Sequence, residues 1–276
     1  MSELDIIRRI RARSRKENSA IQLGIGDDCA LLRPDTKFDL VFTTDLTIEN
    51  RHFTHRTHKA SEVGHLALAR SLSDLAAMGS EPVFCLVALA VPAQLARRWL
   101  NDFYKGLLRL ADSHKITLAG GDLSKADAVI ADVMCCGRVP RGKALLRSGA
   151  KPGDGIFVTG RLGKRKHLPK PRLAEGIALR GVASAAMDLS DGLSLDLHRL
   201  CLESGVAAEL DSSQIPVARG STLEKALHYG EDYELLFTAP AVNAKGTRIG
   251  VITKGKLGQV RLDRRILKPE GWDHFR

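Results

Sequence analysis

A two-domain α+β fold is predicted by three features of the sequence. Apolar patterning in the first half runs in the order strands, helix, strand, helix, strands, which lets two helices cover one face of a mixed sheet. The chain has 276 residues, long for a single core and suited to two domains of ordinary size. Turn-forming residues crowd together at Arg147-Ser148-Gly149-Ala150-Lys151-Pro152-Gly153-Asp154. The boundary is placed there, giving an N-terminal domain over 1–148 and a C-terminal α/β domain over 149–276.

The elements follow from local signals. Leu4, Ile6, Ile7 and Ile10 among five arginines predict a basic amphipathic surface helix over 4–16. Residues 21–32 read as strand, turn, strand, with Gly24-Ile25-Gly26-Asp27-Asp28 as the turn. A strand over 38–43 ends at Thr44-Asp45, and the segment beyond it looks extended through His52, His55 and His58. An extended path does not bring three rings to one side, so a three-histidine zinc site is disfavoured and His52 alone is kept for substrate contact.

Ser61 caps a helix to Met78, stopped by Gly79 and Pro82. A buried strand over 83–91 follows, then a helix over 94–113 with Leu95, Trp99, Phe103, Leu107 and Leu110 on one face. A strand over 116–119 delivers Gly120-Gly121-Asp122, and another covers 128–139. The second half opens with a strand over 156–159 and crosses a basic, proline-containing stretch at 161–172. After Asp188-Leu189-Ser190-Asp191 comes a helix over 193–204, closed by Gly205, and a short strand over 206–210. Gly230-Glu231-Asp232-Tyr233-Glu234 then leads into a strand, and 249–253 is the last clear one.

Composition excludes several classes of function. No apolar run reaches the length of a membrane span, and the start lacks a basic-then-apolar leader pattern, so a cytoplasmic protein without membrane partners is expected. Cys29, Cys85, Cys135, Cys136 and Cys201 form no Cys-x-x-Cys pair and read as buried thiols in a reducing compartment. The formal charge of +10 raises the question of nucleic acid. The basic runs at 161–172 and 254–268 lack interleaved aromatics, so no nucleic-acid partner is expected.

Chemistry is carried by five carboxylate-bearing turns: Asp27-Asp28, Thr43-Thr44-Asp45, Ser73-Asp74, Gly121-Asp122, and Asp188 with Asp191. Carboxylates gathered in one site repel unless cations sit among them, which points to several Mg²⁺ ions on a phosphorylated substrate. Asp74, late in its helix among small residues, either faces solvent or meets a cation. Arg147, at the domain junction, is either a surface arginine or a holder of phosphate. The run Gly250-Val251-Ile252-Thr253-Lys254-Gly255-Lys256-Leu257 nearly matches a phosphate-binding loop, but Leu257 stands where a metal-holding hydroxyl is needed. Phosphoryl transfer that rests on positioning and charge neutralisation remains the reading.

Seven motifs in order now carry a resemblance. They are Gly-Ile-Gly-Asp-Asp, Thr-Thr-Asp, Ser-Asp-Leu-Ala-Ala-Met-Gly, Gly-Gly-Asp, Arg-Ser-Gly-Ala-Lys-Pro-Gly-Asp, Asp-Leu-Ser-Asp-Gly and Gly-Glu-Asp-Tyr-Glu-Leu. Together they resemble the thiamine-monophosphate kinase family, within the superfamily of aminoimidazole-ribonucleotide synthetase. The resemblance implies transfer of the ATP γ-phosphate to thiamine monophosphate, with ATP bound across a cleft. It also implies a homodimer whose first-domain strands meet in a shared barrel. By motif it assigns Asp28, Thr43, Thr44, Asp45, Asp74, Asp122 and Asp188 to a Mg²⁺ cluster and Asp191 to a further ion, with Asp45, Asp122 and Asp188 as the catalytic set. It gives Gly121, Asp122, Arg147 and Ser190 to ATP, and His52, Glu231 and Trp272 to thiamine. The chain departs from the family in a shortened segment between Gly160 and Arg172, in Ser71 for the Asn of Asn-Leu-Ser-Asp, and in Tyr229 for the first Gly of Gly-Gly-Glu-Asp. A same-superfamily enzyme on another substrate and an inactive shortened homologue acting as a binding subunit are the alternatives.

Overall fold

Alternating burial along three long strands sets the architecture in the computed structural model, which describes residues 21–23, 25–34, 37–95, 97–164, 168–240 and 245–273. The helix expected over 4–16 lies outside the described residues. The first sheet contains β1 (Ile21–Leu23), β2 (Ala30–Leu32), β3 (Phe38–Ile48), β4 (Glu81–Val91), β5 (Thr117–Lys125) and β6 (Ile130–Pro140), in the order β1-β2-β3-β6-β4-β5. The β4–β5 pair is parallel and the other pairs are antiparallel, so the sheet is mixed. Val41, Cys85, Val87, Leu89, Ala131, Val133 and Cys135 point to one face and are buried. Their neighbours Phe42, Thr44, Leu46, Leu86, Ala88, Asp132 and Met134 point to the other and stay partly or fully exposed.

Helices α1 (Ala60–Ala77) and α2 (Arg97–Ser113) lie on the buried face. They approach closely because each offers a glycine at the crossing. A Cβ on Gly64 would stand 2.0 Å from the Phe103 carbonyl oxygen, and one on Gly106 would stand 1.8 Å from that of Ser61. Leu68, Leu72 and Leu75 of α1 and Phe103 and Leu107 of α2 are fully buried, each worth about 1.5–3 kcal/mol relative to exposure. The cap is Lys59, two residues before the expected Ser61, and helix α1 begins at Ala60. The backbone N–H of Lys59 donates to Glu62 Oε2 at 2.7 Å, closing the first turn.

The second sheet contains β7 (Gly155–Val158), β8 (Ala185–Asp188), β9 (Ala207–Leu210), β10 (Leu235–Ala239), β11 (Thr247–Thr253), β12 (Val260–Leu262) and β13 (Arg265–Leu267), in the order β13-β12-β9-β11-β7-β10-β8. Helices α3 (Leu173–Ala178), α4 (Leu193–Ser204) and α5 (Leu223–His228) complete this half. Gly205, at φ 70°, ends α4 where expected. Strands β7, β8 and β10 are buried throughout. Helix α1 is the seam between the two sheets: it touches β3 and β6 on one side and β8 and α3 on the other. At its end Gly176 of α3 comes so near that a Cβ would stand 2.0 Å from the Ala76 carbonyl oxygen.

Several expected boundaries are corrected. Strand β3 does not stop at Thr43 but runs on through Thr44-Asp45 to Ile48, and β5 runs through Gly120-Gly121-Asp122. In both the pairing with neighbouring strands continues past the polar residues. The segment after β3 is turned rather than extended: His52 N–H donates to the Ile48 carbonyl at 3.0 Å and Thr57 N–H to Thr54 at 3.0 Å. Helices α3 and α5 and strands β12 and β13 are additional elements. All five cysteines are buried and none is in a disulfide. Among the described residues no helix is long and apolar enough to cross a membrane.

Candidate active site

Spacing on α1 starts the site. Arg70, Ser73 and Asp74 sit at i, i+3 and i+4, so they leave one face of the helix. Thr43 and Asp45 occupy the α1-facing positions of β3, Asp188 ends β8, and Asp28 follows from the turn after β1. Carboxylate oxygens of Asp28, Asp74 and Asp188 lie within 4.8 Å of one another. Thr43 Oγ1 donates to Asp74, and Ser73 Oγ donates to Asp188 Oδ2 at 2.7 Å. The Arg147 guanidinium is engaged by Asp28, through Nε at 3.0 Å and Nη2 at 2.8 Å, while its backbone N–H donates to Asp27 at 3.0 Å.

Burial, then the neighbouring carboxylates, pushes Asp74 and Asp188 well above the ordinary carboxylate range. Asp27 is pushed up to about 7 by burial and by Asp28. Burial also raises Asp45, against the pull of Arg70. A donor set of carboxylate and hydroxyl oxygens, too crowded to ionise together, suits a hard divalent cation.

A cavity of about 530 Å³ opens beside this cluster. It is lined by Asp45, Asp74, Asp188, Ser190 and Asp191 and also by His52, Tyr229, Glu231, Tyr233 and Trp272. The backbone zips the two loops together. Glu231 N–H donates to the Ser190 carbonyl at 2.7 Å, Tyr233 N–H to Leu189 at 2.9 Å, and Trp272 N–H to Asp191 at 3.0 Å. To make these bonds Glu231 and Tyr233 adopt φ of 67° and 50°, a left-handed conformation that costs roughly 1–2 kcal/mol per residue outside glycine. Asp191 is fixed by Arg199, which also bonds Asp196 at 3.0 Å. Asp196 in turn accepts the backbone N–H groups of Asp191 and Gly192, and burial next to Asp191 lifts it to about 7.

Three expected site residues lie elsewhere. Thr44 and Asp122 are on the outward face of the first sheet, where the lateral row Leu46, Asp132, Ala88, Asp122 crosses four strands. Thr44 Oγ1 donates to Asp132, and Asp122 accepts from Ser124 Oγ at 3.1 Å. Gly121 is next to them on β5; a Cβ there would stand 1.9 Å from the Val87 carbonyl oxygen. Within one chain these residues do not line the cavity. The three histidines do not converge either: His55 pairs with Glu49 at 3.1 Å and meets Trp99 edge-on, while His52 accepts the Ile48 N–H at 2.9 Å.

Sequence reasoning missed Arg70, Tyr233, Asp132 and Arg199. The i, i+4 spacing to Asp74 was a signal for Arg70; the others depend on tertiary placement. It also left open what the basic stretch touches. Lys164 and Arg172 both pair with buried Glu234, Arg172 through Nε at 2.7 Å and Nη2 at 2.8 Å. Asp232 accepts from Gly163 N–H and Lys164 N–H, and burial pushes it up to about 6. Residues 165–167 of that stretch lie outside the described residues.

Comparison with known proteins matches this geometry to a family. Residues 26–139 match the model described as AIR synthase related protein, N-terminal domain. The thiamine-monophosphate kinase of Salmonella typhimurium is 37% identical, covering 93% of this chain and 87% of that protein. Among solved structures, AaThiL complexed with AMPPCP and TMP superposes with a TM-score of 0.89 at 30% identity, over 99% of this chain and 97% of that one. Thiamine-monophosphate kinase from Stenotrophomonas maltophilia K279a gives 0.77 at 36% identity, over 97% and 98%. With identity at this level over nearly the whole of each chain, the protein belongs to the thiamine-monophosphate kinase family.

Proposed function

We propose that this chain transfers the γ-phosphoryl group of ATP to thiamine monophosphate, giving thiamine diphosphate and ADP, with several Mg²⁺ ions in the acidic site. The observation that carries the reading is one cavity lined both by Asp74 and Asp188, members of the carboxylate cluster, and by Glu231 and Trp272. Such a cavity can hold a polyphosphate with its cations at one end and a flat organic cation at the other.

In the reaction an oxygen of the thiamine monophosphate phosphate attacks the γ-phosphorus. The bond from that phosphorus to the β–γ bridging oxygen breaks, and ADP departs with the electron pair. A phosphomonoester has a second pKa of about 6, so near neutral pH the attacking oxygen carries no proton and no general base is needed. Asp28, Thr43, Asp45, Asp74 and Asp188 would hold Mg²⁺, with Asp191 on a further ion. Bound there, Mg²⁺ supplies charge neutralisation and fixed geometry for the phosphate oxygens. Glu231 offers the thiazolium cation a carboxylate and Trp272 offers it an aromatic face. Ser190, which lines the cavity, and Arg147, paired with Asp28, would meet the nucleotide phosphates.

A homodimer completes the reading. The outward face of the first sheet presents Phe42, Leu46, Leu86 and Met134 without a covering layer among the described residues. Face-to-face pairing with a second copy would bury them and enclose Thr44, Asp122 and Asp132 near the ATP site. We take 1–148 as the nucleotide, metal and dimer domain, 149–276 as the α/β domain, and the cytoplasm as the compartment. A coupled ADP-release assay tests the function: ADP formation should require both Mg²⁺ and thiamine monophosphate. ATP binding without thiamine-dependent ADP would instead favour a binding subunit, and the shortened 160–172 segment is the feature that gives that reading weight.

A further inference from the structure

Arg70 is a desolvated cation in an acidic cavity. Its side chain is 11% exposed, and it stands one helical turn before Asp74 on α1. The guanidinium lies between Asp45 and Glu231, with Nη2 3.5 Å from Asp45 Oδ1 and Nη1 3.8 Å from Glu231 Oε1. Both separations exceed the range of about 2.7–2.9 Å of a charge-assisted hydrogen bond. Nε is buried with no hydrogen-bond partner among the described residues. The guanidinium carbon is 5.8 Å from the centroid of the Tyr233 ring, which holds the group over one ring face. Arg70 is thus a planar fork with its charge offset and much of its donor capacity unused.

Position decides what the fork meets. If the thiamine ring lies toward Glu231 and Trp272 and the γ-phosphate toward Asp74 and Asp188, the acceptor's phosphate must lie between them. Arg70 occupies that interval. Arg51 also lines the cavity but is exposed, so water weakens its hold on an anion, whereas a buried guanidinium keeps more of its attraction.

We propose that Arg70 is a specificity-determining residue that binds the phosphate of the acceptor, so that the site selects the phosphomonoester over thiamine itself. This rests on the kinase reading. The carboxylates of Asp45 and Glu231 hold the fork loosely in place, and the arriving phosphate takes up its N–H donors in bidentate fashion.

The test uses the full chain with Mg²⁺. Wild-type turnover with ATP and thiamine monophosphate is measured first; its absence sinks the kinase reading. Next the KM for thiamine monophosphate, the KM for ATP and the inhibition constant of unphosphorylated thiamine are compared among wild type, Arg70→Met and Arg70→Lys. Arg70→Met should raise the KM for thiamine monophosphate at least tenfold and leave the thiamine constant and the ATP KM within about twofold. Arg70→Lys should recover part of the loss. Equal weakening of thiamine and its phosphate, or no weakening of either, overturns the role of Arg70 while leaving the kinase reading intact. Should Arg70→Met fail to fold, Arg70→Lys carries the same comparison, since it keeps the charge and removes the fork.

Discussion

Asp74 is where the electrostatics of the site converge, because Asp45, Asp188 and Asp28 all raise it on top of burial. An Asp74→Asn amide keeps an oxygen for the Thr43 hydroxyl but removes a charge that only a cation can balance. Turnover should fall by at least about a hundredfold, while the melting temperature without Mg²⁺ holds or rises, since a buried like-charge contact has gone. The coupled assay and a thermal melt read both; loss of stability equal to the loss of activity would make Asp74 structural. At this scale the carboxylates were legible, since acidic residues beside small residues and turns form recognisable motifs. Arg70 was not. A lone arginine in a helix looks like a surface residue until the second sheet is packed against α1.

At the scale of elements, close packing carries the most direct consequences. Gly106→Ala places a methyl against the Ser61 carbonyl, 1.8 Å from its oxygen, and α2 must shift to admit it. A destabilisation of roughly 1–3 kcal/mol is expected, measured by urea unfolding. A neutral effect would mean that the helices cross elsewhere. Glu234→Gln leaves Lys164 and Arg172 without their buried partner. Because both cations keep some solvent contact, the expected loss is about 1–3 kcal/mol, together with a higher KM for thiamine monophosphate as the neighbouring Glu231 loop loosens. Helix α4 was legible almost to the residue, since its apolar face and a terminal glycine agree. The end of β3 was not: a Thr-Thr-Asp sequence reads as a turn, yet the ladder to β6 carries the strand five residues further than Thr43. Helices α3 and α5 span six residues each, too short for periodicity to show. Strands β12 and β13, at Val260–Leu262 and Arg265–Leu267, are three residues each, too short for a pattern of their own; β12 is held by β9 and β13 by β12.

For the whole molecule, two expectations follow from charge and from exposed surface. Asp27 and Asp196, each near 7 against an ordinary 3.8, take up protons on folding between those values, and Asp74 and Asp188 shift in the same direction. Metal-free protein should therefore lose stability as pH rises from about 4 to 7. Mg²⁺ competes with protons for the same oxygens, so it should raise the melting temperature more at about pH 8 than at about pH 5. An equal rise at both would detach the shifted carboxylates from the cation site. On the outward sheet face Leu46, 47% exposed, is the probe of self-association. Leu46→Asp should convert a dimer to a monomer in light scattering, and an unchanged mass would place the interface elsewhere.

The proposed kinase requires Asp28, Asp74 and Asp188 to hold divalent cations at the phosphate end of a cavity whose other end takes thiamine. Crystals grown with Mn²⁺ and a non-hydrolysable ATP analogue test it through anomalous scattering. Metal peaks should lie within bonding distance of those three carboxylates, with the γ-phosphate position of the analogue pointing toward Arg70 and Glu231. Metal peaks confined to other carboxylates, or an analogue bound outside this cavity, would contradict it.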